Sequence, residues 1–270
     1  MSGPSQPSGP TGRRSAVVTG AAGGIGQAVA ARLAADGLAV TLLDLERSAA
    51  ALAAVEDRLQ EAAGAQVRSD HADVTDEHSV ERALQAHAEA FGGLDVVVAN
   101  AGIAMTAPLL ETTTQQWDTT MAVNVRGVAN CYRSGARLMI AQGRGGRLIG
   151  AASVAAHRAG RWQSAYSASK FAVRGLTQAV ALELAEHQIT ANCYSPGVVQ
   201  TAMWDGIDAA VAERTGAQPG APMAAMTGQI ALGRLQTPDD VAGVVSFLAS
   251  PDAAYITGQS VVVDGGMWFS

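Results

Sequence analysis

Short, uninterrupted apolar runs recur along the chain at 15–19, 38–44, 66–69, 94–99, 146–151, 189–194 and 260–264. Between them lie longer stretches, at about 24–36, 46–63, 76–91, 114–142, 164–186 and 238–249, that read as helices. In the fifth of these, Val173, Leu176, Val180 and Leu184 recur at three- and four-residue spacing, the period of a helix with one apolar face. Runs without polar alternation predict strands covered on both faces. Their regular alternation with helices predicts an α/β fold, a doubly wound sheet of seven parallel strands with helices on both sides. No Pro/Gly linker divides the chain and no repeat at solenoid spacing is present, so residues 14–270 are expected to form a single domain. Residues 1–13, rich in Gly, Pro and Ser, are expected to be a flexible tail. The long irregular stretch at about 201–235, with a short helix near 205–215, is expected to act as a lid over a site.

Composition adds exclusions. Apolar residues make up 48% of the 270 positions and charged ones 16%, which fits a soluble protein able to bury a core. The formal net charge of -6 is modest and Lys and Arg are dispersed, which argues against a nucleic-acid or membrane surface. No apolar run reaches the roughly eighteen residues of a membrane span. Cys131 and Cys193 lack paired spacing and read as buried thiols of a cytoplasmic protein. Arg13-Arg14 before an apolar run imitates a twin-arginine export signal, but cleavage there would remove the glycine motif that follows, so that reading is rejected.

Candidate chemistry begins with Tyr166 and Lys170, four residues apart on one predicted helical face, and Ser153 upstream at the end of an apolar run. A neighbouring ammonium favours a phenolate. Lowering a tyrosine by roughly three units takes about 4 kcal/mol, and such a phenol could exchange a proton with an alcohol or carbonyl oxygen near neutral pH. At the other end of the chain, Gly20, Gly24 and Gly26 join a strand directly to a helix. A tight turn of this kind lets a pyrophosphate approach the backbone and meet unpaired N–H groups at the helix N-terminus. Asp44 closes the next apolar run, where a carboxylate can accept bonds from ribose hydroxyls and repel a 2′-phosphate. NAD is therefore preferred to NADP, with Arg47 keeping the second open; Asp44 as a helix N-cap is compatible with either.

With these pieces in place, residues 14–267 resemble the short-chain dehydrogenase/reductase family, whose fold is of the Rossmann type. Thr19-Gly-Ala-Ala-Gly-Gly-Ile25-Gly26 is similar to its cofactor glycine motif, Asp73-Val74 to its adenine-contacting pair, and Asn100-Ala101-Gly102 to its Asn-Ala-Gly motif. Asn124, Ser153, Tyr166 and Lys170 match its catalytic tetrad, and Pro196-Gly197 with Val199 and Thr201 matches its nicotinamide-side segment. The resemblance implies a nicotinamide cofactor held by these residues and Leu45. Tyr166 would be the general acid or base, Lys170 would keep it partly ionised, and Ser153 would bind the substrate oxygen. Asn124 would anchor a water and Lys170 in a proton path. It also implies a ketone or secondary alcohol as substrate, and a homotetramer as the assembly. Within the family, Thr201-Ala-Met-Trp-Asp-Gly-Ile-Asp208 resembles the acetoin reductases. Val154-Ala155-Ala156 departs from the polar side chains those enzymes carry after the serine, which favours a bulkier or less polar ketone.

Several residues admit other readings. Among the histidines only His157 is close enough to Ser153 to be expected at the substrate, with Trp204 from the lid; no metal-ligand spacing exists. Met203, Trp204 and the terminal Met267-Trp268-Phe269 fit plain core as well as a lid and a subunit contact. Ser153 as a hydrolytic nucleophile lacks a Gly-x-Ser-x-Gly elbow. A catalytically silent nucleotide-binding sensor on the same fold remains the rival from another class.

Overall fold

The computed structural model describes residues 13–63 and 65–269. The expected flexible tail at 1–13 therefore lies, apart from Arg13, outside the described residues. All seven apolar runs form strands: β1 Ser15–Thr19, β2 Ala39–Asp44, β3 Val67–His71, β4 Val96–Ala99, β5 Gly146–Ala151, β6 Ile189–Pro196 and β7 Ser260–Val263. They pair in parallel in the order β3-β2-β1-β4-β5-β6-β7. The helices are α1 Gly24–Ala35, α2 Ala49–Ala63, α3 Glu77–Phe91, α4 Thr114–Met121, α5 Gly127–Gln142, α6 Ser164–Leu184, α7 Ala202–Thr215, α8 Ala221–Thr227 and α9 Pro238–Ala249.

Every residue of β1 is buried, and its side chains divide by parity. Ala16 and Val18 join a core with Val29 and Leu33 of α1, Leu52 of α2 and Val245 of α9. Val17 faces the opposite core, with Leu84 of α3, Tyr132 of α5 and Val173 of α6. Burial on both faces explains why the strands read as unbroken apolar runs.

Two expectations change in detail. The predicted helix at 114–142 is interrupted by one π-helical turn at Ala122–Arg126, which carries the fully buried Asn124. The stretch at 201–235 holds two helices, α7 and α8, rather than one short helix in an irregular segment. Alternating Gly and Pro with Ala and Met hid the second from the periodicity.

Strand order runs outward in opposite directions from β1 and β4, so the loops at their carboxyl ends diverge and leave a crevice there.

Candidate active site

A cavity of about 750 Å³ occupies that crevice and extends beneath α7 and α8. The glycine loop forms one wall. Gly20 has φ +67°, and an added Cβ would meet the Ala101 Cα at 2.8 Å; at Gly26 one would run into the Gly20 carbonyl oxygen. No side chain caps the N-terminus of α1, whose N-cap is Gly23. Its first amides are thus available to an anion, and the loop admits one close to the backbone. Asp44, at the end of β2, braces this loop: Oδ2 accepts the Ala22 N–H at 3.0 Å, and Oδ1 accepts the Leu45 N–H at 2.8 Å. Arg47 lines the same part of the cavity.

A polar clamp ties β1 to β4 and β6. Thr19 Oγ1 accepts the amides of Asn100 and Ala101 at 3.0 and 3.1 Å. The Asn100 side chain donates to the Thr19 carbonyl at 2.8 Å and accepts the Tyr194 hydroxyl at 2.8 Å. Asn130 holds the Val74 carbonyl at 2.9 Å, fixing the Asp73-Val74 segment, whose Asp73 Oδ1 takes the Thr75 amide at 2.9 Å. Tyr194 and Asn130 carried no sequence signal, because their partners are distant in the chain.

Asp73, Val74, Asn100, Ala101 and Tyr194, with Gly24, Ile25, Leu45, Gly102, Pro196, Gly197, Val199 and Thr201, line the same cavity as Ser153, Tyr166, Lys170 and Trp204. The set of backbone donors, a carboxylate at the end of β2 and close glycines fits a dinucleotide.

The reacting end combines β5, α6 and the short helix Val154–Ala156. Ser153 Oγ accepts the Ala155 N–H at 3.1 Å, which leaves its own hydrogen free to donate. Burial pushes the Tyr166 phenol up from its usual value, and the Ser153 hydroxyl acts in the opposite direction. Lys170 is 4% exposed, donates to the Ala151 carbonyl at 2.7 Å and lies 5.5 Å from the Tyr166 ring centroid. Burial brings its ammonium down to about 8. Desolvation is the larger influence on the phenol, and the lysine's own bond goes to a backbone carbonyl.

Asn124 and His157 do not line the cavity. The Asn124 carboxamide accepts the Ile103 N–H at 2.9 Å and donates to the Ile103 carbonyl and Ser169 Oγ at 2.9 and 3.0 Å. These bonds stitch the loop after β4 to α6. His157, expected at the substrate, turns toward β7, where Nε2 pairs with Ser260 Oγ at 3.0 Å. Arg158, Gly160, Arg161, Trp162 and Gln163 line the cavity in its place.

Met203, Trp204, Ile207, Met223, Met226, Met267 and Trp268 close the far side. Buried Asp208, on α7, accepts the amides of Gly220 and Met223 at 2.6 and 2.8 Å and so caps α8 from outside. Phe269 stands 92% exposed and takes no part in this wall.

A family model described as enoyl-(acyl carrier protein) reductase matches residues 20–268. A short-chain dehydrogenase/reductase of Armillaria gallica is 44% identical, over 95% of this chain and 96% of its own. This chain belongs to the short-chain dehydrogenase/reductase family. It is also similar, at 44% identity over 94% of this chain and 98% of the relative, to an L-2,3-butanediol dehydrogenase of Corynebacterium glutamicum. Among solved structures it superposes on an acetoin dehydrogenase from Salmonella typhimurium with a TM-score of 0.81 and 31% identity, covering 94% of this chain and 97% of that one. Membership makes it an oxidoreductase of the short-chain alcohol dehydrogenase type acting with a nicotinamide cofactor. No helix among the described residues is long and apolar enough to cross a membrane.

Proposed function

We propose that this enzyme interconverts a ketone and a secondary alcohol with NAD(H), using Tyr166 as general acid and base. The observation that carries the reading is the convergence of Ser153, Tyr166 and Lys170 on the cavity that also holds the glycine loop and Asp44. In reduction, the Tyr166 hydroxyl gives its proton to the substrate oxygen while the Ser153 hydroxyl donates a hydrogen bond to it; oxidation reverses both. A phenol pushed up by burial is protonated at neutral pH, the state reduction requires. Lys170, near 8, can return a proton to the phenolate formed in that step. The cofactor would lie along Gly20–Gly26, Asp44, Val74, Asn100–Gly102 and Pro196–Thr201, and when bound it supplies the hydride. Asp44 at the ribose position favours NAD over NADP, since its carboxylate would repel a 2′-phosphate.

For the substrate, Val154, Ala155, Met203, Trp204 and Met223 give the cavity apolar lining, and positions 154–156 after the serine carry no polar side chain. That favours a ketone with an apolar flank over a small diol. The likeness to butanediol and acetoin dehydrogenases supports acetoin or diacetyl as the second reading. A lid at 201–235 and a cytoplasmic homotetramer belong to the same proposal. Leu182 at 83% exposure and Phe171 at 45%, both on α6, support a subunit contact there.

Initial rates with NADH and NADPH against diacetyl, acetoin and bulkier cyclic or aryl ketones test the reading. Tyr166→Phe is expected to lose roughly 10²–10⁴-fold in kcat while still binding NADH, followed by fluorescence. Retained turnover in that variant would remove Tyr166 from the mechanism.

A further inference from the structure

The rim of the cavity at its substrate end carries positive charge that the reaction above does not use. Arg161 stacks over the Trp162 ring at 4.3 Å, and Arg158 over the Trp268 ring at 5.3 Å. All four residues line the cavity that holds Ser153 and Tyr166. Neither guanidinium makes an ion pair among the described residues. Each ring attracts its guanidinium and leaves the N–H groups able to reach an anion.

Local structure is committed to this arrangement. Trp162 has φ +62°, a left-handed conformation that is unfavourable for a large side chain. It is held there by the bond from Ala107 N–H to its carbonyl at 2.8 Å. Strain of this kind persists where surrounding contacts over-determine it, and it collects at binding sites. Trp268 is fixed in turn by its amide's bond to Asp264 Oδ2 at 2.9 Å. Asp208, the acidic residue of α7 in the lining, is directed at the Gly220 and Met223 amides and makes no ion pair with either arginine.

We infer that Arg158 and Arg161 recognise an oxyanion, a carboxylate or phosphate, borne by the substrate away from its reacting carbonyl. The substrate class is then a keto acid or keto phosphate whose apolar middle lies against the Met and Trp wall. This rests on the ketone–alcohol reading and narrows it. A guanidinium fork matches either oxyanion, and two of them at the mouth also draw the anion in by charge.

The test compares three ketones of equal length: one ending in a methyl group, one in a carboxylate and one in a phosphate. The wild-type enzyme with NADH is expected to show kcat/KM roughly tenfold higher for at least one anionic member, a gap that narrows as salt rises. The preferred anion identifies the source. In the double variant Arg158→Gln/Arg161→Gln the anionic-to-neutral ratio is expected to fall to about one. Equal kcat/KM for all three, or a preference unchanged by the double variant, overturns the inference. Binding is read separately, by quenching of tryptophan fluorescence when the enzyme saturated with NAD is titrated with the carboxylate. If no ketone is turned over but the anion binds in wild type and not in the double variant, the rim assignment stands and the ketone–alcohol reading fails. Absence of binding together with turnover of the neutral ketone overturns the rim assignment and leaves the ketone–alcohol reading in place.

Discussion

Asp208→Ala tests whether α7 and α8 act as the proposed lid. Asp208 is 6% exposed, and its two oxygens accept the Gly220 and Met223 amides at 2.6 and 2.8 Å. Each is a charge-assisted bond at the start of α8, worth about 1.5 kcal/mol at the low end. Gly220 is exposed, so water replaces part of the loss when the carboxylate is removed. Returning about 1 kcal/mol for that leaves ~2 kcal/mol, or a shift of roughly 30-fold in the equilibrium between a closed and an open α7–α8 unit. Because this unit packs on the sheet mainly through Val198, Ile230, Trp204 and Met267, the opening should stay local. Hydrogen exchange read by mass spectrometry is expected to show faster exchange across 202–227, by one to two orders of magnitude, with Tm little changed. The kcat/KM for ketone should fall with it, since the wall over the substrate is lost for part of the time. Asp208→Asn, which keeps one acceptor, should lie between. Unaltered exchange in 202–227 would refute the claim that this carboxylate holds the lid; global unfolding in step with local exchange would refute the claim that the lid is a separate unit.

Three further expectations follow from named contacts. Asp44→Ala should weaken NAD use and raise relative NADP use, but it also removes the brace on the Ala22 amide, so affinity for both should drop; an unchanged ratio in initial rates would argue against the ribose role. His87 is fully buried between Thr41 Oγ1 and Ser15 Oγ, and burial brings it to about 3 from 6.5. Since the folded state binds fewer protons than the unfolded state between those values, stability is lost as pH falls from about 6.5 to 3, by on the order of 4 kcal/mol; urea unfolding should show this acid limb flattened in His87→Gln. Asn124→Ala should lower Tm and kcat together, because Ile103 and Ser169 lose their partners at about 1–3 kcal/mol for each group left unpaired; full stability in that variant would contradict the stitching role.

The chain alone determined the sheet, the glycine loop and the grouping of Ser153, Tyr166 and Lys170. All of these rest on short-range signals: unbroken apolar runs, glycines where no Cβ fits, and side chains four apart on one helix. The helix α8 was not legible, because a seven-residue helix rich in Ala and Met has no clear period and is held by Asp208 from another element. The direction of His157 and the partner of Lys170 also depended on packing. Each is set by an atom far away in sequence, Ser260 Oγ in one case and the Ala151 carbonyl in the other. Burial pushes the Tyr166 phenol up from its ordinary value, an effect of everything packed around the ring that no spacing in the sequence carries. Local pattern fixes which groups share a face; only the folded chain fixes what surrounds them, and surroundings set both charge state and contact.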